Sequence, residues 1–194
     1  MNRALILLAA VALAVVLVIG LTQAGGKDAP GQQEGSFSLS EAKRDLEGAP
    51  APLASLHGQA NELLPGGMSA FQARLQELRG HPVVINKWAS WCGPCRAEFP
   101  IFQQLATTRG KEIAFVGINA RDKTPAAERF AAQYPVPYPS YEDPDEKIAR
   151  ALKAPSNFPV TLFVDADGKT VFTHQGGYRS AADLPADIDE HLGA

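Results

Sequence analysis

The sequence predicts an α/β fold, a central mixed sheet flanked by helices, behind an N-terminal transmembrane helix. Two short apolar runs, Val83–Asn86 and Ile113–Ile118, are each followed by a stretch with helical periodicity. A strand–turn–strand pattern at residues 160–173 predicts a hairpin near the C-terminus. Alternating strands and helices form a parallel sheet with helices on both faces, and the hairpin closes this sheet with an antiparallel pair.

The membrane segment is predicted by residues 4–21, ALILLAAVALAVVLVIGL, which contain no charged or strongly polar side chain. As a helix this run would be about 27 Å long, close to the ~30 Å hydrocarbon core of a bilayer. Arg3 precedes the run, so the positive-inside tendency directs the rest of the chain out of the cytoplasm. Thr22–Ala24 would suit signal cleavage. We expect a retained anchor, with secretion after cleavage as the open alternative.

Composition limits the classes of function. The chain has 194 residues, of which 45% are hydrophobic and 20% charged, and its net charge is −3. These values fit one soluble domain with an appendage, and the absence of a Lys- or Arg-rich tract argues against nucleic-acid binding. Residues 22–51 are rich in Gly, Pro, Gln and Ser and predict a flexible tether, with a turn or two of helix around Leu39–Leu46. The folded domain is therefore expected at residues 52–194.

Caps and periodicity locate the elements of this domain. A capping box at Ser69–Gln72 predicts the start of a helix that should end at Gly80. Pro100 should kink the helix predicted over residues 93–108. In chain order, the other expected elements are the strands Val83–Asn86 and Ile113–Ile118, a helix opened by Thr124–Pro125, a helix opened by Asp143–Glu146, the hairpin strands Val160–Val164 and Thr170–Thr173, and a last helix from Ser180.

The only two cysteines of the chain lie in the stretch KWASWCGPCR, residues 87–96. A structural zinc site needs four ligands; Cys92 and Cys95 supply two, and the four histidines show no ligand-like spacing. A structural disulfide over this spacing closes a very small loop and would stabilise the fold only weakly. We therefore expect a redox couple, without a bound metal.

The position of the pair suits disulfide exchange. Cys92 follows a strand and begins a helix, where unpaired N–H groups and the helix dipole lower a thiol pKa below its free value of ~8.5. We expect Cys92 to be exposed and to attack a disulfide, and Cys95, one turn further in, to resolve the mixed disulfide. Pro94 stiffens the two-residue loop between them, and Gly93 puts no side chain in the way of an incoming substrate.

These residues carry a resemblance to a known family. The motif WCGPC after an apolar strand, the helix containing Pro100 and the strand–hairpin–helix tail resemble thioredoxin. The longer stretch NKWASWCGPCRAEFP, with the membrane segment and the tether, resembles the TlpA/ResA/CcmG branch of extracytoplasmic thioredoxin-like proteins. This resemblance covers roughly residues 52–192 and implies a thioredoxin-like fold. The segment between Thr124 and Leu152 is similar to the helical insertion of that branch.

The resemblance also implies roles for residues away from the cysteines. Pro159 matches the family's cis-proline, which docks the backbone of the substrate. Asn86 stands where cytosolic thioredoxins have a buried acid that moves protons for the second cysteine, and an asparagine there is common in this branch. Glu98 matches the acidic position of the branch, either as a tuning residue or as a solvated charge. Asn86, Glu98 and Pro94 are thus candidate tuning residues.

Two residues depart from the family pattern. Phe158 replaces a small hydroxylic residue before the cis-proline, and its ring is expected to restrict or reshape what docks across Cys92. Lys87 replaces a common aromatic residue, and we expect its stem to pack while its ammonium stays in solvent. Trp91 is expected to form part of an apolar platform that partners touch, so Pro159, Phe158 and Trp91 are the candidate docking residues.

Together these features predict a membrane-tethered, extracytoplasmic thiol–disulfide oxidoreductase without a cofactor. Cys-Gly-Pro-Cys resembles the motif of reducing thioredoxins. The resemblance therefore implies reduction of protein disulfides, for example in apocytochrome c before haem attachment, with electrons supplied by a membrane partner. Two alternatives stay open: an extracytoplasmic disulfide oxidase, and a copper- or haem-delivery module on the same fold.

Overall fold

The computed structural model describes residues 37–193, which belong to one compact unit. The predicted membrane segment at residues 4–21 and the first part of the predicted tether lie outside the described residues. Among the helices between Phe37 and Gly193, none combines the length and the apolar composition that crossing a bilayer requires. The N-terminal membrane helix therefore stays a prediction.

Helices and strands alternate along the described part of the chain. The helices are α1 (Leu39–Asp45), α2 (Ala51–Gly58), α3 (Gly67–Glu77), α4 (Gly93–Arg109), α5 (Thr124–Gln133), α6 (Lys147–Ala151) and α7 (Asp183–Leu192). The strands are β1 (Leu63–Leu64), β2 (Val83–Trp88), β3 (Ala114–Ala120), β4 (Ser140–Asp143), β5 (Val160–Val164) and β6 (Thr170–Gln175). The predicted order of elements is present, and the helix α2 and the two short strands β1 and β4 are additional to it.

The six strands form one mixed sheet in the order β1–β4–β3–β2–β5–β6. The first four are parallel, whereas β5 is antiparallel to both β2 and β6. Every residue of β2, β3 and β5 is buried, as expected for strands covered on both faces. The predicted α/β class, with a parallel part closed by an antiparallel hairpin, is confirmed.

Each face of the sheet carries its own apolar core because successive side chains of a strand point to opposite faces. Val84 and Trp88 of β2 belong to a core formed with α4, α5 and α7, which also contains both cysteines. Val83 and Ile85 belong to the opposite core, formed with α2, α3 and α6. Helices therefore flank the sheet on both sides, and the cysteines lie on the side of α4.

The compact unit extends further toward the N-terminus than the predicted boundary at Pro52. Helix α1 lies within the range expected to be a flexible tether, where the sequence indicated a turn or two of helix. Ser38 caps it through its Oγ, which accepts from the N–H of Glu41. Ala42 and Leu46 are buried, and α1 packs against α4. Two well-spaced apolar side chains suffice to dock a short helix, although the surrounding composition is that of a linker.

Strand β4 and helix α6 differ from the prediction that Asp143–Glu146 opens a helix. Asp143 ends β4, and the turn after it delays the helix until Lys147. The buried Asp143 carboxylate nevertheless caps α6 from a distance, since Oδ1 accepts from the N–H of Ile148 and Oδ2 from that of Ala149. The predicted helical segment between Thr124 and Leu152 therefore contains a strand as well as two helices.

Three other helices begin at different residues from those predicted. The capping box at Ser69 does not form, because α3 begins at Gly67 after Gly66, whose φ of 103° is accessible mainly to glycine. Thr124 is the first residue of α5 rather than its cap. Ser180 precedes α7 by a turn in which its Oγ accepts from the N–H of Ala182. These shifts are small and leave the helix faces unchanged.

Candidate active site

Cys92 and Cys95 lie where β2 leads into α4 and are joined by a disulfide bond. Cys92 is the N-cap of α4, and its Sγ accepts from the N–H of Cys95 at 3.1 Å. Cys92 is 4% exposed and Cys95 is fully buried, so the expectation that Cys92 is openly exposed is wrong for the disulfide form. Access is left at Gly93, where a Cβ would meet nothing within 4 Å.

Pro159 lies beside the cysteine loop at the start of β5. The Phe158–Pro159 peptide bond is cis, as the resemblance implied. A Cβ added at Gly177 would lie 3.4 Å from Pro94 Cβ and 3.7 Å from Pro159 Cγ, so both prolines lie close to this glycine. The carbonyl of Pro159 accepts from the N–H of Gly176 at 3.0 Å. Pro159 is buried.

Trp91 and Phe158 form an aromatic pair next to Cys92. Their ring centroids are 4.9 Å apart with an edge-to-face angle of 61°. Trp91 is 56% exposed, and its Nε1 donates to the carbonyl of Arg121 at 2.9 Å, which fixes the orientation of the indole. The pair joins the cysteine loop to the segment before the cis-proline.

A groove of about 610 Å³ runs along the other side of the cysteine loop. Its lining consists of Phe158, three residues of α4, and the end of β6 with the loop that follows it: Pro94, Ala97, Ile101 and residues 175–179. The groove is open to solvent and mostly apolar.

Glu98 and Asn86 form a buried polar pair behind the cysteines. Glu98 is fully buried, and its carboxylate accepts from Asn86 Nδ2 at 2.8 Å and from the N–H of Tyr178 at 3.2 Å. Burial raises the pKa of Glu98 to about 7, although both hydrogen bonds act in the opposite direction. The alternative that Glu98 is a solvated surface charge is therefore wrong. Glu98 follows Cys95 by one turn on the buried side of α4.

Lys87 is fully buried, so the expectation that its ammonium stays in solvent is wrong. Its Nζ donates to the carbonyl of Pro155, lies 3.4 Å from Oε1 of Glu146, and sits 4.2 Å from the ring centroid of Phe158. Burial lowers the pKa of Lys87, and the nearby carboxylate of Glu146 acts against that shift. These three contacts supply the partners that water would otherwise provide.

Asp122 is a residue of this region that sequence reasoning missed. Its carboxylate accepts from both the N–H and the Oγ of Ser90 and from Asn119 Nδ2 at 3.0 Å. Burial acts to raise the pKa of Asp122, but the hydrogen bonds outweigh it and the pKa is lowered. Asp122 therefore anchors the loop before Cys92. Its position just after β3 could have identified it. The carboxyl ends of the parallel neighbours β2 and β3 meet at one edge of the sheet, so a residue that follows β3 lies near the loop that follows β2.

Comparison with protein families gives one matching family model, Redoxin, over residues 47–188. Among curated proteins, the thiol:disulfide interchange protein DsbE of Pseudomonas fluorescens biotype C is 37% identical over 93 residues, which are 47% of this chain and 50% of that protein. The thiol-disulfide oxidoreductase ResA of Bacillus subtilis (strain 168) is 31% identical over 98 residues, or 50% and 54% of the two chains. This chain thus matches about half the length of these curated relatives.

Solved structures are similar to this chain as well. A structure described as a thiol:disulfide interchange protein DsbE from Chlorobium tepidum has a TM-score of 0.53 at 30% identity, and the match covers 58% of this chain and 80% of that one. Mycobacterium tuberculosis DsbF, solved in mixed oxidized and reduced forms, has a TM-score of 0.54 at 29% identity, covering 59% and 84%. The fold around the cysteine pair is thus the thioredoxin-like α/β fold that the sequence predicts.

Proposed function

This chain belongs to the Redoxin family, and from that premise we propose that it is a thiol–disulfide oxidoreductase acting on protein substrates through Cys92 and Cys95. The observation that carries the proposal is the disulfide between these residues at the N-terminus of α4, beside a cis-proline. The names of the relatives, interchange protein and oxidoreductase, support the same class of reaction.

The exchange follows from the geometry of the pair. In the reduced protein, the Cys92 thiolate attacks one sulfur of a substrate disulfide, forms a mixed disulfide and releases the other substrate sulfur as a thiolate. The Cys95 thiolate then attacks Sγ of Cys92, which releases the second substrate thiolate and leaves the Cys92–Cys95 disulfide. The N–H of Cys95, which donates to Cys92 Sγ, favours the anionic form of the attacking sulfur.

Glu98 is the proposed proton acceptor of Cys95. The second step needs Cys95 as a thiolate, yet Cys95 is fully buried and burial alone disfavours that charge. Glu98 lies one turn away on the same helix, and its raised pKa of about 7 suits proton exchange near neutral pH. Asn86 orients the carboxylate through its Nδ2 donor and leaves Glu98 to move the proton.

The proposed direction is reduction of extracytoplasmic disulfides, including those of apocytochromes c, with electrons from a membrane partner. The Gly-Pro pair between the cysteines, the apolar run at residues 4–21 and the similarity to DsbE and ResA support this direction and place. A glutathione titration of the full chain tests it. A reduction potential near about −270 mV supports a reductase, and one near about −120 mV indicates the alternative, an oxidase.

Insulin reduction tests the proposed reaction. We expect the full chain in mild detergent to accelerate the reduction of insulin by dithiothreitol, and Cys92→Ser to abolish that acceleration. Reduced Cys95→Ser, mixed with insulin in the absence of dithiothreitol, should instead accumulate a mixed disulfide with the substrate, which is visible on a non-reducing gel. Wild-type activity in the Cys92→Ser variant would exclude the proposal.

A further inference from the structure

We propose that Lys87 is a positioning residue for substrate docking, which holds Phe158 and the loop before Pro159 in the one arrangement that a protein substrate meets. The inference rests on the proposed function, because it concerns the surface next to Cys92. It assigns a role to a buried cation that the exchange chemistry itself does not use.

Two of the three contacts of Lys87 are made with the loop that ends at the cis-proline. Residues 155–158 form neither helix nor strand, so no ladder fixes them. The Lys87 ammonium donates to the carbonyl of Pro155 at one end of this loop and lies 4.2 Å from the ring centroid of Phe158 at the other. A single charged group thus ties both ends of the loop to strand β2.

The same network continues to the exposed half of the aromatic pair. Glu146 lies 3.4 Å from Lys87 Nζ through Oε1 and 4.0 Å from Arg121 Nε through Oε2. The carbonyl of Arg121 accepts from Trp91 Nε1, and Trp91 meets the ring of Phe158. These five residues form a closed ring of contacts, so moving Lys87 would loosen Trp91 as well as Phe158.

Stability alone does not account for a lysine at this position. Taking an ammonium out of water is costly, and replacing a buried ion pair as a whole by apolar groups of similar volume is often neutral or stabilising. An apolar side chain would fill the same space, but it would neither bind the Pro155 carbonyl nor attract the face of Phe158. The distinguishing contribution of Lys87 is therefore the fixed geometry of the loop.

Lys87→Met tests the proposal because methionine keeps the length and apolar stem of lysine and removes the ammonium. With the full chain in mild detergent, we expect the KM for insulin to rise about tenfold while kcat stays within about twofold. The rate with dithionitrobenzoate, a small disulfide that needs no docking loop, and the reduction potential should both stay at the wild-type values. Lys147→Met, which removes an exposed lysine paired with Asp145, is the matched control and should match the wild type throughout.

A double-mutant cycle with Phe158→Leu shows whether Lys87 acts through that ring. We expect Lys87→Met to add nothing to the KM of Phe158→Leu. Additive effects, an unchanged KM, or an equal loss with dithionitrobenzoate would overturn the proposal.

NMR order parameters supply a readout independent of activity. The backbone order parameters of residues 156–158 should fall from about 0.85 in the wild type to below about 0.6 in Lys87→Met. If the wild type itself fails to reduce insulin, the proposed function fails, and unchanged order parameters would still refute the role of Lys87.

Discussion

Glu98 is a carboxylic acid in a fully buried position behind the two cysteines. Asn86 and the backbone of Tyr178 hold its oxygens, and burial raises its pKa from 4.5 to about 7. Between these two pH values the folded protein retains a proton that the unfolded chain has lost. The contribution of Glu98 to stability is therefore most favourable below about pH 4.5 and is lost as the pH rises through 7, above which the buried carboxylate is charged in the folded protein.

Glu98→Gln should remove this pH dependence because glutamine has the same shape and cannot ionise. Asn86 can accommodate the change by turning its amide so that Oδ1 accepts from the new NH2 group. We expect the variant to match the wild type near pH 4.5 and to exceed it by up to about 3 kcal/mol at pH 8. Urea unfolding of the oxidised protein at several pH values measures this difference. Parallel stability curves for the two proteins would contradict the prediction.

The substitution Asp122→Ala tests whether this carboxylate anchors the loop before Cys92. Asp122→Ala leaves both donors of Ser90 and the amide of Asn119 without their acceptor, and we expect a loss of about 1–3 kcal/mol in the free energy of unfolding. The pKa of Asp122 is lowered, so its contribution is present at neutral pH and is lost as the pH falls through that pKa. The variant and the wild type should therefore converge in acid.

Asp145→Ala is the matched control for Asp122→Ala in the same urea titration. Asp145 is an exposed aspartate that pairs with Lys147, and exposed pairs contribute little. We expect its free energy of unfolding to stay within about 0.5 kcal/mol of the wild type. An equal loss in both variants would show that Asp122 contributes no more than an ordinary surface charge.

The residues around the cysteines differ in how far the sequence predicts them. Cys92, Gly93, Pro94 and Cys95 lie within one short motif, so their arrangement follows from local helix geometry. The Lys87 ammonium was wrongly expected in solvent because its partners Pro155 and Glu146 are 68 and 59 positions away in the sequence. Solvent is the default location for a lysine, and only tertiary packing reveals the carbonyl and the carboxylate that replace water.

At the scale of elements, strand β3 requires a glycine, Gly117, at the point where the indole of Trp88 packs against the sheet. Trp88 Nε1 donates to Ser140 Oγ at 3.0 Å, and the indole packs on Phe99 and Phe130. A Cβ on Gly117 would overlap Ser140 Oγ, lie 2.8 Å from Ser140 Cβ and lie 3.1 Å from Trp88 Nε1. Space for the Trp88–Ser140 hydrogen bond therefore exists only because residue 117 has no side chain.

Gly117→Ala should destabilise the protein by about 2–4 kcal/mol, because the methyl group displaces Ser140 and leaves the buried Trp88 N–H unpaired. Thermal unfolding and the near-ultraviolet circular dichroism of Trp88 measure the effect. Gly58→Ala is the control: it lies at the end of α2, its added Cβ meets nothing within 4 Å, and alanine should leave stability equal or slightly higher. Similar losses in both variants would contradict the prediction.

Helices and strands, like single residues, are predictable where the signal lies in their own sequence and are missed where it lies in distant segments. Strands β2, β3 and β5 each contain a short run of mostly apolar residues, and the length and composition of these runs predict the strands directly. Strand β4 has the sequence Ser-Tyr-Glu-Asp, which reads as a turn leading into a helix. It becomes a strand because β1 and β3 pair with it on both sides, and that pairing is not visible in its own four residues.

At the scale of the whole molecule, the topology brings the candidate active-site residues to one edge of the sheet. Parallel strands β2 and β3 both end there, which places the loop of Cys92 beside Arg121 and Asp122. Strand β5 runs the opposite way and begins at the same edge, so Pro159 arrives next to the cysteines. The combination of a parallel crossover and an antiparallel hairpin therefore assembles this edge from segments that are distant in the sequence.

Helix α1 extends this unit beyond the core sheet and provides a test of where the fold begins. Leu46 is buried with its Cδ2 over Gly110, at the end of α4, and burying one leucine contributes about 1.5–3 kcal/mol. A chain beginning at Pro50 should therefore unfold about 3–10 °C below a chain beginning at Phe37. Leu46→Ala in the longer chain should reproduce most of this loss. Differential scanning calorimetry of the three oxidised proteins decides the question: equal unfolding temperatures would place the start of the cooperative unit at Pro50, as the linker-like composition of residues 22–51 predicts.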